Sequence, residues 1–530
     1  MKSNKSRKIF SKSCFDVNSL KLLGTLAISI LLVSGCATVG PDYVKPSTPE
    51  PKAWLQEKEP KIESEGADFS QWWTIFDDAI LNNLIQAASQ QNLPLRISGV
   101  RIMEARAQLG IAVGNRYPQL QQLGANYTRV NLSENAANTA VADHAYGEYE
   151  IGFDAVWELD LWGKFRRGIE SSIAGLEASI AGYDDALVSL TAEVARTYVI
   201  IRTLEGRLAI ARENVKIQEQ SLKIAQVRFD GGVVTELDVQ QAKALLRNTQ
   251  ALIPQLESDL RQAKNGLAIL LGALPGDIDG MLGVAQSIPA PPAEVAVGIP
   301  AELLRRRPDI RFAEFQVAVQ SARVGIVKAD LFPHFSLLGS IGLRTGDSAC
   351  ALTRGNNIGD LFEAKSIEYF TGPSLRWDIL NYGRITNRVR VEDARLQELI
   401  VNYQNTVLRS TQEAEDSMVA FVRSEEESVF LKESVEASKR SVDLALIQYR
   451  EGLVDYQRVL DTQRSLTQQQ DRFTAMKGSV TLNLIALYKA LGGGWQIRFG
   501  KGFVPEETKE EMRKRTNWGE LLSEKRLKNN

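Results

Sequence analysis

The chain has 530 residues, with 63 Lys and Arg against 65 Asp and Glu and a formal net charge of −2. This balance disfavours nucleic-acid binding through a broad basic surface, which needs clustered Lys and Arg. Only three cysteines are present, at positions 14, 36 and 350, so a disulfide framework is excluded.

The N-terminus has the order of a secretory signal. Six basic residues precede an apolar run at 22–33, which is too short to span a bilayer because a spanning helix needs roughly twenty residues. The run ends in Val-Ser-Gly-Cys at 33–36, which resembles a bacterial lipobox. We therefore predict a lipoprotein signal peptide over 1–35, acylation of Cys36 and a lipid-anchored strap over 36–70. The alternative is an ordinary signal with an incidental cysteine.

The remaining chain repeats itself. The segment WELDLWGK at 157–164 matches WDILNYGR at 377–384, an offset of 220 that also places 229–233 on 449–453. Earlier in each half the offset is 215. Two copies of one unit predict a duplicated, pseudo-symmetric fold. Its predicted parts are repeat 1 (71–272), a linker (273–300), repeat 2 (301–495) and a charged C-terminal tail (496–530) that we expect to be mobile from residue 501.

The first copy contains a helix, a strand and two very long helices. Apolar positions three and four apart predict a helix over 77–116. Alternating apolar and polar residues from Tyr149 to Trp157 predict a strand with one apolar face. A proline-free helical pattern over 164–228 would run near 100 Å, at about 1.5 Å per residue. Glycines end it, and a helix returns over about 235–271.

The second copy repeats this order, with long helices over about 387–450 and 455–491. Each copy supplies two strands, so the chain has about four, whereas the smallest membrane barrels have about eight. Several chains must therefore share a barrel, and three would give about twelve strands. Aromatic residues at the predicted strands are expected at the membrane interface: Tyr149, Phe153, Trp157 and Trp377.

Short motifs follow one another in a fixed order: GPDY (40–43), WW (72–73), ARAQLG (105–110), WELDLWG (157–163), RRRPDI (305–310) and YREG to DTQR (449–464). This order resembles the TolC-like outer-membrane efflux channel family, in its lipoprotein branch. The resemblance implies an α+β membrane protein in the cell outer membrane, lipid-anchored, with a large periplasmic part. It further implies a homotrimer whose twelve-stranded β-barrel continues into a long α-helical periplasmic tunnel.

The resemblance also implies partners and site residues. The partners would be a periplasmic adaptor protein, an inner-membrane pump of the resistance-nodulation-division type and outer-membrane lipid. The tips that contact the adaptor would comprise Gly231, Gly232, Val233, Gly452 and Leu453. The gate residues would be Asp238, Tyr449, Gln457, Asp461 and Arg464.

At such a gate, three Asp461 carboxylates on a three-fold axis would repel one another and attract cations. Closure would then depend on pairs between helices, such as Asp238 with Arg464. The alternative is that Asp461 is an ordinary solvated residue of a helix.

Other functions are less well supported by the sequence. An enzyme is not expected, because only His144 and His334 are present and no phosphate loop, metal cluster or nucleophile motif occurs. No cofactor or metal is predicted. A periplasmic coiled-coil scaffold would lack the alternating strands, whereas a channel for protein secretion would share them. The sequence does not identify the transported compounds.

Overall fold

The computed structural model describes residues 38–48, 53–56, 59, 62–63, 68–135, 137, 144–292, 295–298, 305–347 and 357–523. The predicted signal peptide and Cys36 lie outside the described residues. The helices are α1 (Ala79–Gln91), α2 (Leu93–Gly114), α3 (Lys164–Asp230), α4 (Glu236–Leu270), α5 (Ile278–Leu282), α6 (Pro308–Ala329), α7 (Arg384–Arg450), α8 (Tyr456–Ala490) and α9 (Glu506–Arg515). The strands are β1 (Ile62–Glu63), β2 (Leu120–Asn131), β3 (Ala145–Glu158), β4 (Val295–Ala296), β5 (His334–Asp347) and β6 (Ile367–Arg376).

A four-stranded antiparallel sheet forms the centre of one compact unit, which comprises Met1–Tyr43, Leu109–Ser172 and Val319–Leu396. Its strand order is β2-β3-β5-β6, so β2 and β6 are the edges and each has one neighbour among the described strands. The two central strands pair from Gly147 opposite Asp347 to Glu158 opposite Ser336. The prediction of four long strands is confirmed, and a two-residue parallel pair of β1 with β4 is additional.

The predicted interface aromatics lie on this sheet or at its end. Tyr149 is directly opposite Tyr127, with ring centroids 4.8 Å apart. Phe153, Trp157 and Trp377 keep 38–50% of their surface exposed. The two indoles make equivalent hydrogen bonds in the two halves of the chain, because Trp157 donates to the Arg116 carbonyl at 3.2 Å and Trp377 donates to the Leu331 carbonyl at 3.0 Å.

The second unit, Val44–Gln108, Ile173–Ala318 and Gln397–Asn530, contains most of the helical residues. The prediction of one helix over 77–116 is wrong, because the chain breaks at Asn92 into α1 and α2. Asn92 caps α2 by accepting a hydrogen bond from the Leu95 amide at 2.9 Å, and its own backbone is not helical. Pro94 lacks an amide proton and so could not bond to the Gln90 carbonyl in a continuous helix, whereas proline is tolerated in the first turn of a new helix, where it lies in α2.

The long helices match their predicted ends to within a few residues. Helices α3 and α7 each contain 67 residues, and α4 and α8 each contain 35. A helix of 67 residues is about 100 Å long. Pro254 lies inside α4. Within the described ranges, no helix combines the length and the apolar character that crossing a bilayer requires.

The C-terminal segment is packed up to residue 523, so the expectation of a mobile tail from residue 501 is wrong for these residues. Val504, Met512 and Leu522 are 2–5% exposed. The Phe503 ring meets Tyr183 edge-on at 5.3 Å, and Arg106 donates to the Leu521 carbonyl at 3.1 Å. The segment is highly charged on average, but three of its apolar residues are buried in the core and hold it in place.

The described part of the N-terminal strap is also attached. In the first unit, the Val39 amide donates to the Trp162 carbonyl at 3.0 Å, and Arg167 donates to Asp42 at 2.6 Å. In the second unit, the buried Trp54 indole donates to the Gly298 carbonyl at 3.0 Å. The strap is therefore fixed to the body at several points along its length.

Candidate functional site

The two turns between long helices have the same geometry. Gly232 follows α3 and Gly452 follows α7, with φ of +71° and +74°, the left-handed region that favours glycine. The backbone amide of the residue after each glycine donates a hydrogen bond to a carbonyl in the last turn of the preceding helix. Val233 donates to the Arg228 carbonyl at 2.9 Å, and Leu453 donates to the Gln448 carbonyl at 2.8 Å. These bonds satisfy carbonyls that a helix end leaves free.

The side chains at these turns are available to a partner. Val233 is 63% exposed and Leu453 is 74% exposed, although both are apolar. The predicted tip residues Gly231, Gly232, Val233, Gly452 and Leu453 therefore all lie in or beside the two turns.

A shared apolar cluster beneath the turns joins α3, α4, α7 and α8. Tyr449 and Tyr456 are each 1% exposed, and their rings lie 5.1 Å apart. The other buried members are Ala225, Val239, Ala242, Leu245, Ala445, Val459 and Leu460. Tyr449, predicted as a gate residue, is thus part of the packing that holds the four helix ends together.

Arg228, which the sequence analysis did not identify, connects the ends of α3 and α7. Its Nη1 donates to the Tyr449 carbonyl at 2.6 Å and to the Arg450 carbonyl at 3.1 Å. Its guanidinium also lies 4.7 Å from the centroid of the Tyr449 ring. A cation at a helix C-terminus is stabilised by the free carbonyls and the helix dipole.

Asp238 lies beside the Tyr449 hydroxyl near this cluster. Burial raises the pKa of Asp238, and the negative charge of Asp455 raises it further, whereas Tyr449 and Arg228 act in the opposite direction. Burial and the charge of Asp238 likewise raise the pKa of Tyr449. The two side chains lie near enough to shift each other's pKa, although the buried Tyr449 hydroxyl has no hydrogen-bond partner among the described residues.

The remaining predicted gate residues lie on the exposed side of α8. Gln457 donates to Asp461 Oδ1 at 2.8 Å, and Arg464 Nη1 lies 3.9 Å from the same oxygen. Asp461 and Arg464 are more than half exposed. Among the residues that the structure describes, Arg464 is thus paired along its own helix. The pair of Asp238 with Arg464 between helices stays a prediction.

A second polar cluster surrounds Arg307 of the RRRPDI motif. Its guanidinium donates to Asp309 at 2.9 and 3.0 Å, to Glu413 at 2.8 Å and to the Ala490 carbonyl. Burial and the charge of Asp309 raise the pKa of the nearby Asp185 to about 6. This cluster connects α6, α7 and the end of α8, and its partners were not predicted from the sequence.

His334, the first residue of β5, contacts an acidic residue at the end of the neighbouring strand β3. His334 Nδ1 lies 2.7 Å from Glu158 Oε1, and Lys164 lies 3.0 Å from Asp330. Across the described ranges, no group of three or more His, Cys, Asp or Glu side chains is arranged to hold a metal ion.

Comparisons with known proteins agree with this architecture. A family model described as outer membrane efflux protein matches residues 84–273 and 299–493. Nodulation protein T of Rhizobium leguminosarum bv. trifolii is 30% identical over 478 residues, covering 90% of this chain and 96% of that protein. The pyoverdine export outer membrane protein OpmQ of Pseudomonas aeruginosa is 31% identical over 438 residues, covering 82% of this chain and 89% of that protein.

A solved structure gives the same result. The outer-membrane channel OprN has a TM-score of 0.79 and 32% identity to this chain, covering 87% of this chain and 100% of that one. The chain therefore belongs to the outer membrane efflux protein family, and it is an outer-membrane efflux channel.

Proposed function

We propose that three copies of the chain form the exit duct of a tripartite efflux system. The observation that carries the proposal is the four-stranded sheet with two edges, β2 and β6, that have one neighbour each among the described strands. Such a sheet is too small to close alone, because the smallest membrane barrels have about eight strands. Pairing β2 of one copy with β6 of the next would close a barrel of about twelve strands.

The paired long helices support a periplasmic tunnel built from two repeats. Helices α3 and α7 are equal in length, and so are α4 and α8. Each pair ends in the same glycine turn, and the indole bonds of Trp157 and Trp377 are equivalent. The chain would act as a passive conduit without a catalytic step.

The exposed apolar tips support contact with a periplasmic adaptor. Val233 and Leu453 project from the two turns, and exposed apolar side chains at a helix end favour a protein partner. Through the adaptor, the duct would receive compounds from an inner-membrane pump of the resistance-nodulation-division type.

The transported compounds would be selected by the pump. Among the relatives, CusC of Escherichia coli is named a cation efflux system protein and OpmQ a pyoverdine export protein, so similar channels serve different compounds. These names favour small-molecule efflux over protein secretion for this chain.

Single-channel conductance in planar bilayers tests the proposed function. We expect the wild-type trimer to show a small, mostly closed, cation-preferring conductance, because three exposed Asp461 carboxylates would face the constriction. Asp461→Ala should raise the conductance severalfold and weaken the cation preference, since it removes the charge and the acceptor for Gln457. The matched control is Asp416→Ala, which removes an exposed aspartate of α7 far from the turns.

Two results would contradict this assignment. Absence of conductance from well-folded trimers would contradict the proposal that three copies form a conducting duct. Equal conductance of Asp461→Ala and Asp416→Ala would remove Asp461 from the gate while leaving the channel intact.

We also propose that Cys36 carries the lipid anchor. Cys36→Ser should abolish incorporation of labelled palmitate, because the acceptor thiol is lost, and trimers should still assemble, because the sheet and helices are unchanged. Cys350→Ser is the control and should keep the label. Label that persists in Cys36→Ser would refute the lipobox interpretation.

A further inference from the structure

A cavity of about 700 Å³ lies in the second unit between the 3₁₀ turn Trp72–Phe76, α1 and the 3₁₀ turn Trp495–Arg498. This volume is within the roughly 300–1,000 Å³ of ordinary ligand sites. Its walls carry five carboxamide side chains, which is unusual for so small an area: Gln71, Asn82, Asn83, Gln86 and Gln496.

The amphipathic pattern of α1 places three of these amides together. Leu81, Leu84 and Ile85 on one side of the helix are at most 1% exposed and anchor it to the core. Asn82, Asn83 and Gln86 fall at positions i, i+1 and i+4 and therefore share the other side. Trp72, which stacks on Tyr488 at 5.5 Å, fixes the turn that carries Gln71.

The amides are not used by the fold. Among the described residues, none of the five side chains makes a hydrogen bond to another part of the chain. Asn82 Oδ1 and Gln496 Oε1 are in addition buried without a donor, a condition that costs stability. A carboxamide is both a donor and an acceptor, so each can bind a hydroxyl or an acetamido group.

Aromatic side chains and one cation complete the cavity. Trp73 and Phe499 line it, and Phe499 is 63% exposed although Trp495 holds its ring edge-on at 5.4 Å. An exposed aromatic face suits the apolar face of a sugar ring. Lys501 is the one charged residue among those that line the cavity in the described structure, and it could pair with a carboxylate.

We propose that this cavity binds a glycan of acetamido sugars, with Lys501 forming an ion pair with a carboxylate substituent. Uncharged donor–acceptor pairs beside an aromatic face match a neutral, hydroxyl-rich ligand better than a phosphate or a metal ion. The proposed function places this unit in the periplasm. The inference rests on the proposed function only for the source of the ligand, which is then the cell-wall glycan. The site would tether the channel to that glycan.

Isothermal titration of the purified full-length trimer tests the inference. The probes are N-acetylglucosamine tetramer, a cell-wall fragment containing N-acetylmuramic acid, an oligosaccharide released from lipopolysaccharide, and maltotetraose as a sugar without acetamido groups. We expect binding of the first two and little binding of the others. The double variant Asn83→Ala, Gln86→Ala should weaken both by about tenfold or more, since both residues are exposed and lose bonds to the ligand.

Two further variants sharpen the test. Gln90→Ala removes an exposed amide of the same helix outside this cavity and should bind as the wild type does. Lys501→Met should weaken the muramic-acid fragment selectively. Equal binding by the double variant and Gln90→Ala, or equal binding of maltotetraose, would overturn the proposal. Preference for the lipopolysaccharide sugar would overturn the assigned source.

This test is independent of the channel function. The double variant should conduct as the wild type does, because the cavity lies apart from the residues at the helix turns. Loss of glycan binding with normal conductance would therefore support the proposed glycan site and leave the proposed function unaffected. Absence of conductance in every variant and in the wild type would contradict the proposed function and leave the glycan site unaffected.

Discussion

Replacing Arg307 with Met is expected to destabilise the folded chain by about 1.5–3 kcal/mol, the usual worth of a hydrogen bond to a charged group. The loss is no larger because Asp309 and Glu413 keep 29% and 45% of their side-chain surface exposed, so water partly replaces the donor. The Arg307 side chain is only 9% exposed, and its bonds to Asp309 and Glu413 join α6 to α7. Without the guanidinium, both carboxylates and the Ala490 carbonyl lose their donor.

The effect is measured as a fall in the melting temperature of the purified protein and in its amount in the outer membrane. Arg101→Met is the control, because Arg101 is an exposed arginine of α2 and such changes usually stay within about ±0.5 kcal/mol. Adding Asp309→Asn and Glu413→Gln to Arg307→Met should restore part of the stability. A loss no greater than that of Arg101→Met would show that the cluster contributes little.

The pH dependence of stability gives a second measurement. The folded pKa of Asp185, about 6, is above its ordinary value of 3.8. Such a carboxyl contributes stability below its unfolded pKa, and this contribution is lost as the pH rises through about 6. Because Arg307 holds this pKa down, Arg307→Met should raise it, and the defect should be larger at pH 8 than at pH 4.

Arg228→Met is expected to raise the open probability of the channel tenfold or more. Arg228 makes two charge-assisted bonds to the carbonyls of Tyr449 and Arg450, each worth about 1.5–3 kcal/mol, and lies against the Tyr449 ring, which adds about 0.5–2 kcal/mol. If opening separates the ends of α3 and α7, these contacts are lost only in the open state. Removing these contacts therefore destabilises the closed state relative to the open state by the free energy that the contacts contribute.

Single-channel recordings measure this shift. Arg247→Met is the control, because Arg247 is an exposed arginine of α4 whose one bond among the described residues is to Gln250 in its own helix. Arg228→Lys should give an intermediate value, since it keeps the charge but loses the planar fork. An open probability equal to that of Arg247→Met would mean that the ends of α3 and α7 move together during opening.

The sequence predicted the long elements because their signals are local. Alternation from Tyr149 to Trp157 and the glycines at 231–232 and 452 located the strand and the helix turns. The break at Asn92 was missed because the apolar spacing continues across it, although Pro94 was a signal for it. The C-terminal segment was misjudged because its average charge concealed a few apolar residues such as Val504 and Met512.

The site was predicted in part. The repeat offset located both turns, and the assignment of Val233 and Leu453 as tips that contact an adaptor stays a prediction. The contacts of Arg228 with Tyr449 and of Arg307 with Glu413 were not foreseen, because these partners lie more than a hundred residues apart in the sequence. Such contacts depend on how helices pack, which the local pattern does not specify.

The two sheet edges have a consequence for genetics. If the channel is the proposed trimer, with β2 and β6 paired between copies, each channel is assembled from the pool of chains made in the cell. When normal and defective chains are made equally and mix freely, only about one trimer in eight then contains three normal chains. In a cell that carries both alleles, an allele whose product folds and assembles but does not open is expected to be dominant, whereas an allele whose product fails to fold is expected to be recessive.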